Sequence, residues 1–114
     1  MKVHYLEIVT PDVDEVCFSY QAALNVDFTK PDPSLGNART AALPGGGFVG
    51  VRAPMSESEE SVIRPYWLVA DIEQAIKAAE LAGGHVAHPP MEIPGKGKFA
   101  IYIQGQTQHG LWEL

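Results

Sequence analysis

Two acidic and two basic side chains attract attention because each falls in a strand-like stretch: Glu7, Arg52, Arg64 and Glu113. The alternation of side chains along a strand predicts that all four share one face of a sheet. An arginine there would bind a carboxylate or phosphate through two parallel N–H groups, and a glutamate would act as a general base. The alternative is a closed set of ion pairs that satisfies buried charges without doing chemistry, and the pair that we expect first is Arg64 with Glu113.

Histidines add a second set of candidates. His109 precedes Glu113 by four residues, so a regular strand places both on one face, where the imidazole would shuttle a proton or bind a ligand. The alternative is a histidine that only hydrogen-bonds at the end of its strand. His85 and His88 are three residues apart and should face opposite sides of a strand, so we expect no shared metal role.

Aromatic residues in the same stretches could line the floor of a pocket for a flat organic molecule: Tyr5, Phe48, Tyr66 and Tyr102. Simple packing of the sheet is the alternative for each of them. Cys17 lies on an apolar helix face and is expected in the core rather than as a nucleophile. The glycine-rich runs at 44–47 and 95–98 lack the spacing of a phosphate loop and are interpreted as turns.

A strand followed by an amphipathic helix occurs twice, at residues 4–24 (HYLEIVTPDVDEVCFSYQAAL) and at 63–83 (IRPYWLVADIEQAIKAAELAG). Each helix has an apolar face at i, i+3, i+4 and i+7, formed by Val13, Val16, Cys17 and Tyr20 in one copy and by Ile72, Ala75, Ile76 and Ala79 in the other. Asp12 and Asp71 stand at the matching N-cap positions. The shared pattern indicates an internal duplication.

The rest of the chain completes two β-α-β-β-β modules in a single domain, 1–114. We place module one at about 1–53, an acidic linker at about 54–62 and module two at about 63–114. The expected strands are Met1–Thr10, Val26–Phe28, Ala38–Leu43, Phe48–Arg52, Arg64–Val69, His85–His88, Phe99–Gln104 and His109–Leu114. Pro89 and Pro90 should end the strand before them.

Alternation assigns the faces of these strands. The apolar partners of the two helices are predicted to be Leu6, Ile8, Trp67, Val69, Trp112 and Leu114. The opposite faces are predicted to carry Tyr5, Glu7, Phe48, Gly50, Arg52, Arg64, Tyr66, His109, Leu111 and Glu113. This predicts an α+β fold with a curved mixed sheet, helices on its convex side and an open concave cup lined by the second set.

Composition narrows the class of protein. The 114 residues are 46% hydrophobic and 19% charged, which is typical of one globular domain. A net charge of −6 argues against nucleic acid or an anionic membrane as the partner. No apolar run approaches the roughly 20 residues of a membrane span. A strand predicted to begin at the N-terminus leads us to expect no signal peptide, and together with the single cysteine it favours a cytoplasmic location.

The chain resembles the glyoxalase/bleomycin-resistance/extradiol dioxygenase group, the vicinal oxygen chelate superfamily. Three features carry the resemblance: the two modules, the dipeptide PD or AD at the start of each helix, and the terminal strand HGLWEL. The resemblance implies paired modules that form a cup, often in a homodimer. Trp67 and Trp112 would serve such an interface if they are not buried. The fold hosts lyases, isomerases, epimerases, dioxygenases and metal-free drug-binding proteins, so it does not specify an activity.

The resemblance also implies metal ligands (His, Glu or Gln) on the first and last strands of each half. Those positions fall on Tyr5, Gly50, Arg64 and Glu113, of which only Glu113 is a usual ligand. Gly50 has no side chain, and the permanent charge of Arg64 would repel a divalent cation. A register shift of one residue would replace Tyr5 by His4 but would turn Glu7 towards the helix side. We therefore expect no cofactor and no complete metal site, with a divalent metal as the alternative.

Three functions stay open at this point. The first is a metal-free protein that binds a small organic ligand in the cup, through Tyr5, Phe48, Arg52, Arg64, Tyr66 and Tyr102. The second is an enzyme, either a divalent-metal-dependent lyase, isomerase or dioxygenase that uses Glu113 with His109, or a metal-free enzyme with Glu7 or Glu113 as base. The third is a structural or regulatory domain with a filled cup.

Overall fold

Two helices and seven strands make up the chain, and the computed structural model describes all of it, residues 1–114. The strands are β1 (Val3–Val9), β2 (Arg39–Ala42), β3 (Phe48–Arg52), β4 (Val62–Leu68), β5 (His85–Ile93), β6 (Gly97–Gln104) and β7 (Thr107–Glu113). The helices are α1 (Val13–Leu24) and α2 (Ile72–Leu81), with a 3-10 turn at Pro33–Leu35. The mixed sheet and the two helices confirm the α+β class.

The chain divides into two compact units. The amino unit is Leu6–Ile63, and the carboxyl unit is Met1–Tyr5 together with Arg64–Leu114. Strand β1 contributes residues to both. The segment predicted as a linker, 54–62, is part of the amino unit, and the first five residues of the chain count with the carboxyl unit.

The amino unit has the strand order β2-β3-β1, with β2 and β3 antiparallel around the glycine turn at 45–47. Helix α1 packs on one face of these strands. The buried core of the unit is Ile8, Cys17, Ala41, Val49 and Val51, and Leu6 packs against it. The predicted facing of Leu6 and Ile8 towards the helix is therefore confirmed.

The strand predicted at Val26–Phe28 is wrong. These residues form no ladder with a neighbour, and the backbone first pairs at Thr29, whose N–H bonds to Thr40 O at 2.8 Å. Val26 and Phe28 still pack against the core, and the Phe28 ring lies 6.2 Å from the Tyr20 ring. Their apolar character reflects burial against α1 rather than strand pairing.

The carboxyl unit has the strand order β1-β4-β7-β6-β5, in which β4 and β7 are parallel and β5, β6 and β7 are antiparallel neighbours. Helix α2 packs on a core of Ile72, Ile76, Ala100 and Leu111. Trp67 and Val69 pack against this core, so their predicted facing is confirmed. Neither α1 nor α2 has the length and apolar content that a membrane-spanning helix requires.

The predicted facing of β7 is wrong. Leu111 belongs to the core beneath α2, whereas Trp112 packs against the rings of Tyr5 and Tyr66 on the other face. The parallel pairing with β4 sets this phase, because Leu111 lies opposite Trp67. Strand alternation then turns His109 and Glu113 to the helix side. Leu114, also predicted to face a helix, is exposed beyond the end of the strand.

Strand β5 continues through Pro89 and Pro90 instead of ending before them. It pairs only with β6, and its register shifts between Val86 and Met91. Prolines are tolerated in an edge strand because an outward position needs no N–H for the ladder. An irregular edge strand is the physical reason why the predicted end is wrong.

Candidate functional site

One face of the carboxyl unit carries four aromatic side chains in mutual contact, which we call the aromatic face: Tyr5, Tyr66, Phe99 and Trp112. The ring centroids of Tyr5 and Tyr66 are 5.5 Å apart, and Trp112 lies 5.6 Å from Tyr5 and 5.9 Å from Tyr66. Phe99 is 6.2 Å from Tyr66, edge to face. These separations are those of favourable aromatic pairs. Three of the rings are buried, and Phe99 is half-buried at the border.

Arg64 lies on this face and is buried, with 5% of its surface exposed. Its Nε donates to the Tyr66 hydroxyl at 3.1 Å, and one terminal nitrogen donates to Gln108 Oε1. The guanidinium carbon sits 5.7 Å from the centre of the Tyr66 ring, a cation–π distance. Gln108 is half-buried, so the residue that holds this buried guanidinium is itself partly open to solvent.

Gly110 makes the position of Tyr66 possible. The two residues are partners across β4 and β7, and the Tyr66 ring lies directly over Gly110. A Cβ at this position would collide with the ring and with Pro65 O. The glycine in HGLWEL is therefore a packing requirement of the aromatic face.

Arg52 is the second buried arginine and belongs to the amino unit, as does Glu7; they are 5% and 6% exposed. Arg52 Nε donates to Glu7 Oε2 at 2.8 Å, and the two terminal nitrogens donate to the two carboxylate oxygens of Glu59 at 2.9 and 2.7 Å. The hydrogen bonds to Glu59 and the charge and hydrogen bond of Glu7 raise the pKa of Arg52, although burial acts in the opposite direction. Glu59, in the predicted linker, was missed by the sequence analysis.

Phe48 and Gly50 share the strand phase of Arg52 in β3. Phe48 is half-buried, which is compatible with the border of a binding surface. Gly50 is buried and offers no side chain to a ligand or metal.

His109 and Tyr102 lie away from the aromatic face. Their rings stack at 5.1 Å, and Tyr102 packs against the core beneath α2. His109 Nε2 is 2.8 Å from Thr107 Oγ1 and 3.2 Å from Gln104 O, at the turn between β6 and β7. These contacts match the alternative of a histidine that hydrogen-bonds at a strand end. A catalytic role of His109 and a ligand role of Tyr102 remain predictions.

Glu113 meets the N-terminus of α2. Its Oε1 accepts the Ile72 N–H at 2.9 Å, and Lys98 Nζ lies 4.0 Å from its Oε2. The expected pair with Arg64 does not form, because Arg64 is on the aromatic face and Glu113 on the helix side. Glu113 is also among the residues that line an open cavity of about 390 Å³, with Leu68, Val69, Ala70 and Leu114.

The metal centre that the resemblance implies does not fit these residues. No group of three or more His, Cys, Asp or Glu side chains in the chain could hold a metal ion. Of the four ligand positions that the resemblance assigns, three carry the poor ligands Tyr5, Gly50 and Arg64. At the fourth, the Glu113 carboxylate already accepts an N–H at the N-terminus of α2. His4, the register alternative, contacts Trp112 at 5.4 Å, and burial and nearby Lys2 lower its pKa. We therefore derive no chemistry through a metal.

Comparison with known proteins supports the fold. No family model and no curated protein matches the chain in sequence. A hypothetical protein from Bacillus halodurans superposes with a TM-score of 0.73 at 17% identity, over 99% of this chain and 94% of its own. Methylmalonyl-CoA epimerase from Mycobacterium tuberculosis gives 0.72 at 15% identity, over 97% and 86%.

A third structure is a variant of Streptomyces coelicolor methylmalonyl-CoA epimerase in complex with 2-nitronate-propionyl-CoA. It superposes with a TM-score of 0.68 at 14% identity, over 99% of this chain and 94% of that chain. Together these matches show that the chain shares the fold of these structures, which is the fold that the resemblance to the vicinal oxygen chelate superfamily implies.

Proposed function

We propose that this chain, which has the vicinal oxygen chelate fold, binds a small organic anion beside Arg64 without a metal ion. The observation that carries the proposal is the contact between Gln108, a half-buried residue, and the buried Arg64 guanidinium. A ligand carboxylate that reached Gln108 would find an arginine whose side chain is already oriented. Charge-assisted hydrogen bonds to such a group are stronger than neutral ones.

The aromatic face supports an organic rather than an inorganic anion. Ligand sites are mostly apolar, with a few polar groups that fix the orientation of the ligand. Phe99 is half-buried at the border of the face and Tyr66 holds Arg64 Nε, so apolar surface and an oriented cation lie within one cluster.

The structural likeness guides the choice of probes. Two of the similar structures are epimerases named for methylmalonyl-CoA, and one holds 2-nitronate-propionyl-CoA. A carboxylate and a nitronate both present two oxygens in a plane to a guanidinium. At 14–15% identity the likeness concerns the fold alone, so the proposal depends on Arg64 and its neighbours.

The test is a calorimetric titration with methylmalonyl-CoA, malonate and benzoate, in buffer containing a chelator. We expect saturable binding of at least one probe, with no increase when nickel, manganese, iron or zinc replaces the chelator. Failure of all three probes to bind, or binding that requires one of these metals, would overturn the proposal.

The informative variant is Gln108→Glu, which supplies an internal carboxylate to Arg64 and should weaken anion binding by about tenfold or more. Gln104→Glu is the matched control, since Gln104 is exposed on β6 and its amide donates to Ala82 O instead. Equal weakening in both variants would reflect general charge repulsion and would contradict a site at Arg64.

A further inference from the structure

We infer that Arg52 is a second anion-binding subsite, in the amino unit, and that Glu59 occupies it as an internal substitute for a ligand carboxylate. The inference goes beyond the proposed function at Arg64 and does not depend on it. It rests on the geometry of one arginine, two glutamates and the segment 53–61.

The two sides of the Arg52 guanidinium are used differently. Nε is held by Glu7, a buried residue of β1. The two terminal nitrogens form a parallel pair of bonds with the two oxygens of Glu59, at 2.9 and 2.7 Å. This bidentate arrangement is how arginine recognises carboxylates in ligands. Glu7 therefore orients the guanidinium, and Glu59 occupies its ligand-binding side.

The segment that carries Glu59 is also held to Arg52 at its start, where a terminal nitrogen of Arg52 donates to Ala53 O at 3.2 Å. Residues 53–61 include no helix and no strand. Glu59 Oε1 also accepts the Met55 N–H at 2.7 Å, and Glu59 N donates to Ser56 O at 3.2 Å. Both bonds join residues of the segment to one another. Met55 is 70% exposed. Release of Glu59 from Arg52 would uncover little apolar surface.

Gly36 lets this segment lie close to Arg52. Its φ is +64°, and a Cβ would collide with the Met55 methyl and approach Arg52 Cδ to 3.1 Å. Glu57 and Glu60, on either side of Glu59, are exposed and make no described hydrogen bond or ion pair. Of the three acidic residues at 57–60, only Glu59 reaches the guanidinium.

Exchange of one carboxylate for another leaves the charge around Arg52 unchanged. A ligand carboxylate would therefore replace Glu59 at the same two N–H groups once its concentration exceeds the effective concentration of the tethered Glu59 carboxylate, and binding would free the segment 53–61. The expected ligand class is a small anion with two coplanar oxygens. The expected consequence is a segment whose accessibility increases with ligand concentration.

The first test is chemical rescue of Glu59→Ala, with Glu60→Ala as the matched control. Sodium propionate is compared with sodium chloride at equal ionic strength. We expect propionate to raise the Tm of Glu59→Ala by about 3 °C more than that of Glu60→Ala, because it fills the vacated position. An equal response of the two variants would overturn the inference.

The second test uses the unaltered protein and a protease that cleaves after glutamate. We expect propionate to accelerate cleavage at Glu57–Glu60 several-fold over chloride, since displacement of Glu59 frees this segment. Rescue of Glu59→Ala without faster cleavage of the unaltered protein would overturn displacement by a ligand. Both responses should persist in Gln108→Glu, which separates this subsite from the site at Arg64.

Discussion

The two helices of the duplicated pattern begin differently, although their sequences predict the same cap. Asp71 precedes α2 with extended backbone angles, and its carboxylate accepts the Gln74 N–H at 3.1 Å. Asp12 precedes α1 with φ −103° and ψ 52° and makes no such bond; its own N–H donates to Thr10 Oγ1. An N-cap requires backbone geometry as well as the right residue.

The anchoring of the two helices differs as well. Helix α1 buries one residue, Cys17, whereas α2 buries Ile72 and Ile76. Glu113 adds a second carboxylate at the N-terminus of α2, where it accepts the Ile72 N–H. The comparison teaches that a repeated strand-helix pattern specifies the elements, while contacts from distant strands decide how firmly each helix is held.

The largest expected difference in the free energy of unfolding is between substitutions of the buried residues of α2 and of α1. We expect Ile76→Ala to lower the free energy of unfolding by about 3 kcal/mol, because it leaves a cavity in the core beneath α2. Cys17→Ala removes a smaller side chain and should cost about 1 kcal/mol. Urea unfolding followed by circular dichroism measures both, and equal losses would break the comparison.

Removal of Glu113 should have the next largest effect. Glu113→Ala leaves the N–H of the buried Ile72 without its described acceptor, and we expect a loss of about 2 kcal/mol. Lys98→Ala is the control, since Lys98 lies 4.0 Å from the same carboxylate and is 44% exposed. If both substitutions cost the same, Glu113 acts through Lys98 rather than at the helix terminus.

The two cap residues provide a matched pair. Asp71→Ala should cost about 1 kcal/mol because it removes the cap of α2. Asp12→Ala should change the free energy of unfolding by no more than about 0.5 kcal/mol, as expected for a surface substitution. A loss at Asp12 as large as that at Asp71 would show that α1 is capped in solution.

Cys17 reports on the opening of α1 without any change in sequence. Burial raises the pKa of its thiol, so little thiolate is available and access is blocked. We expect a disulfide reagent to label Cys17 slowly in the native protein and rapidly in urea. Rapid native labelling would mean that α1 opens readily from its core.

Much of this architecture could be predicted from the sequence, because periodicity and caps are local signals. The apolar face of α2 and its cap at Asp71 are examples. The face of β7 could not be predicted, since Leu111 and Trp112 are adjacent, apolar and both buried. Only the pairing with Trp67 across to β4 reveals which of them faces α2.

The sequence predicted which arginines belong to the candidate sites better than it predicted the residues that hydrogen-bond to them. Both buried arginines were identified, as were Tyr66 and Glu7, but two further partners, Gln108 and Glu59, were not. Gln108 would have followed from the correct phase of β7, because alternation places it on the same face as Trp112. Glu59 lies in an acidic segment whose composition suggests solvent exposure, and no local pattern distinguishes it from Glu57.

The prolines of β5 affect how the protein behaves at high concentration. An edge strand with free N–H groups can template pairing with a strand of another molecule and so start aggregation. Pro89 and Pro90 have no N–H to offer, and the register shifts around them disturb the regular spacing that a docking strand needs. Replacing the pair with valines would restore the two missing N–H groups, and we expect the variant to form fibrils more readily.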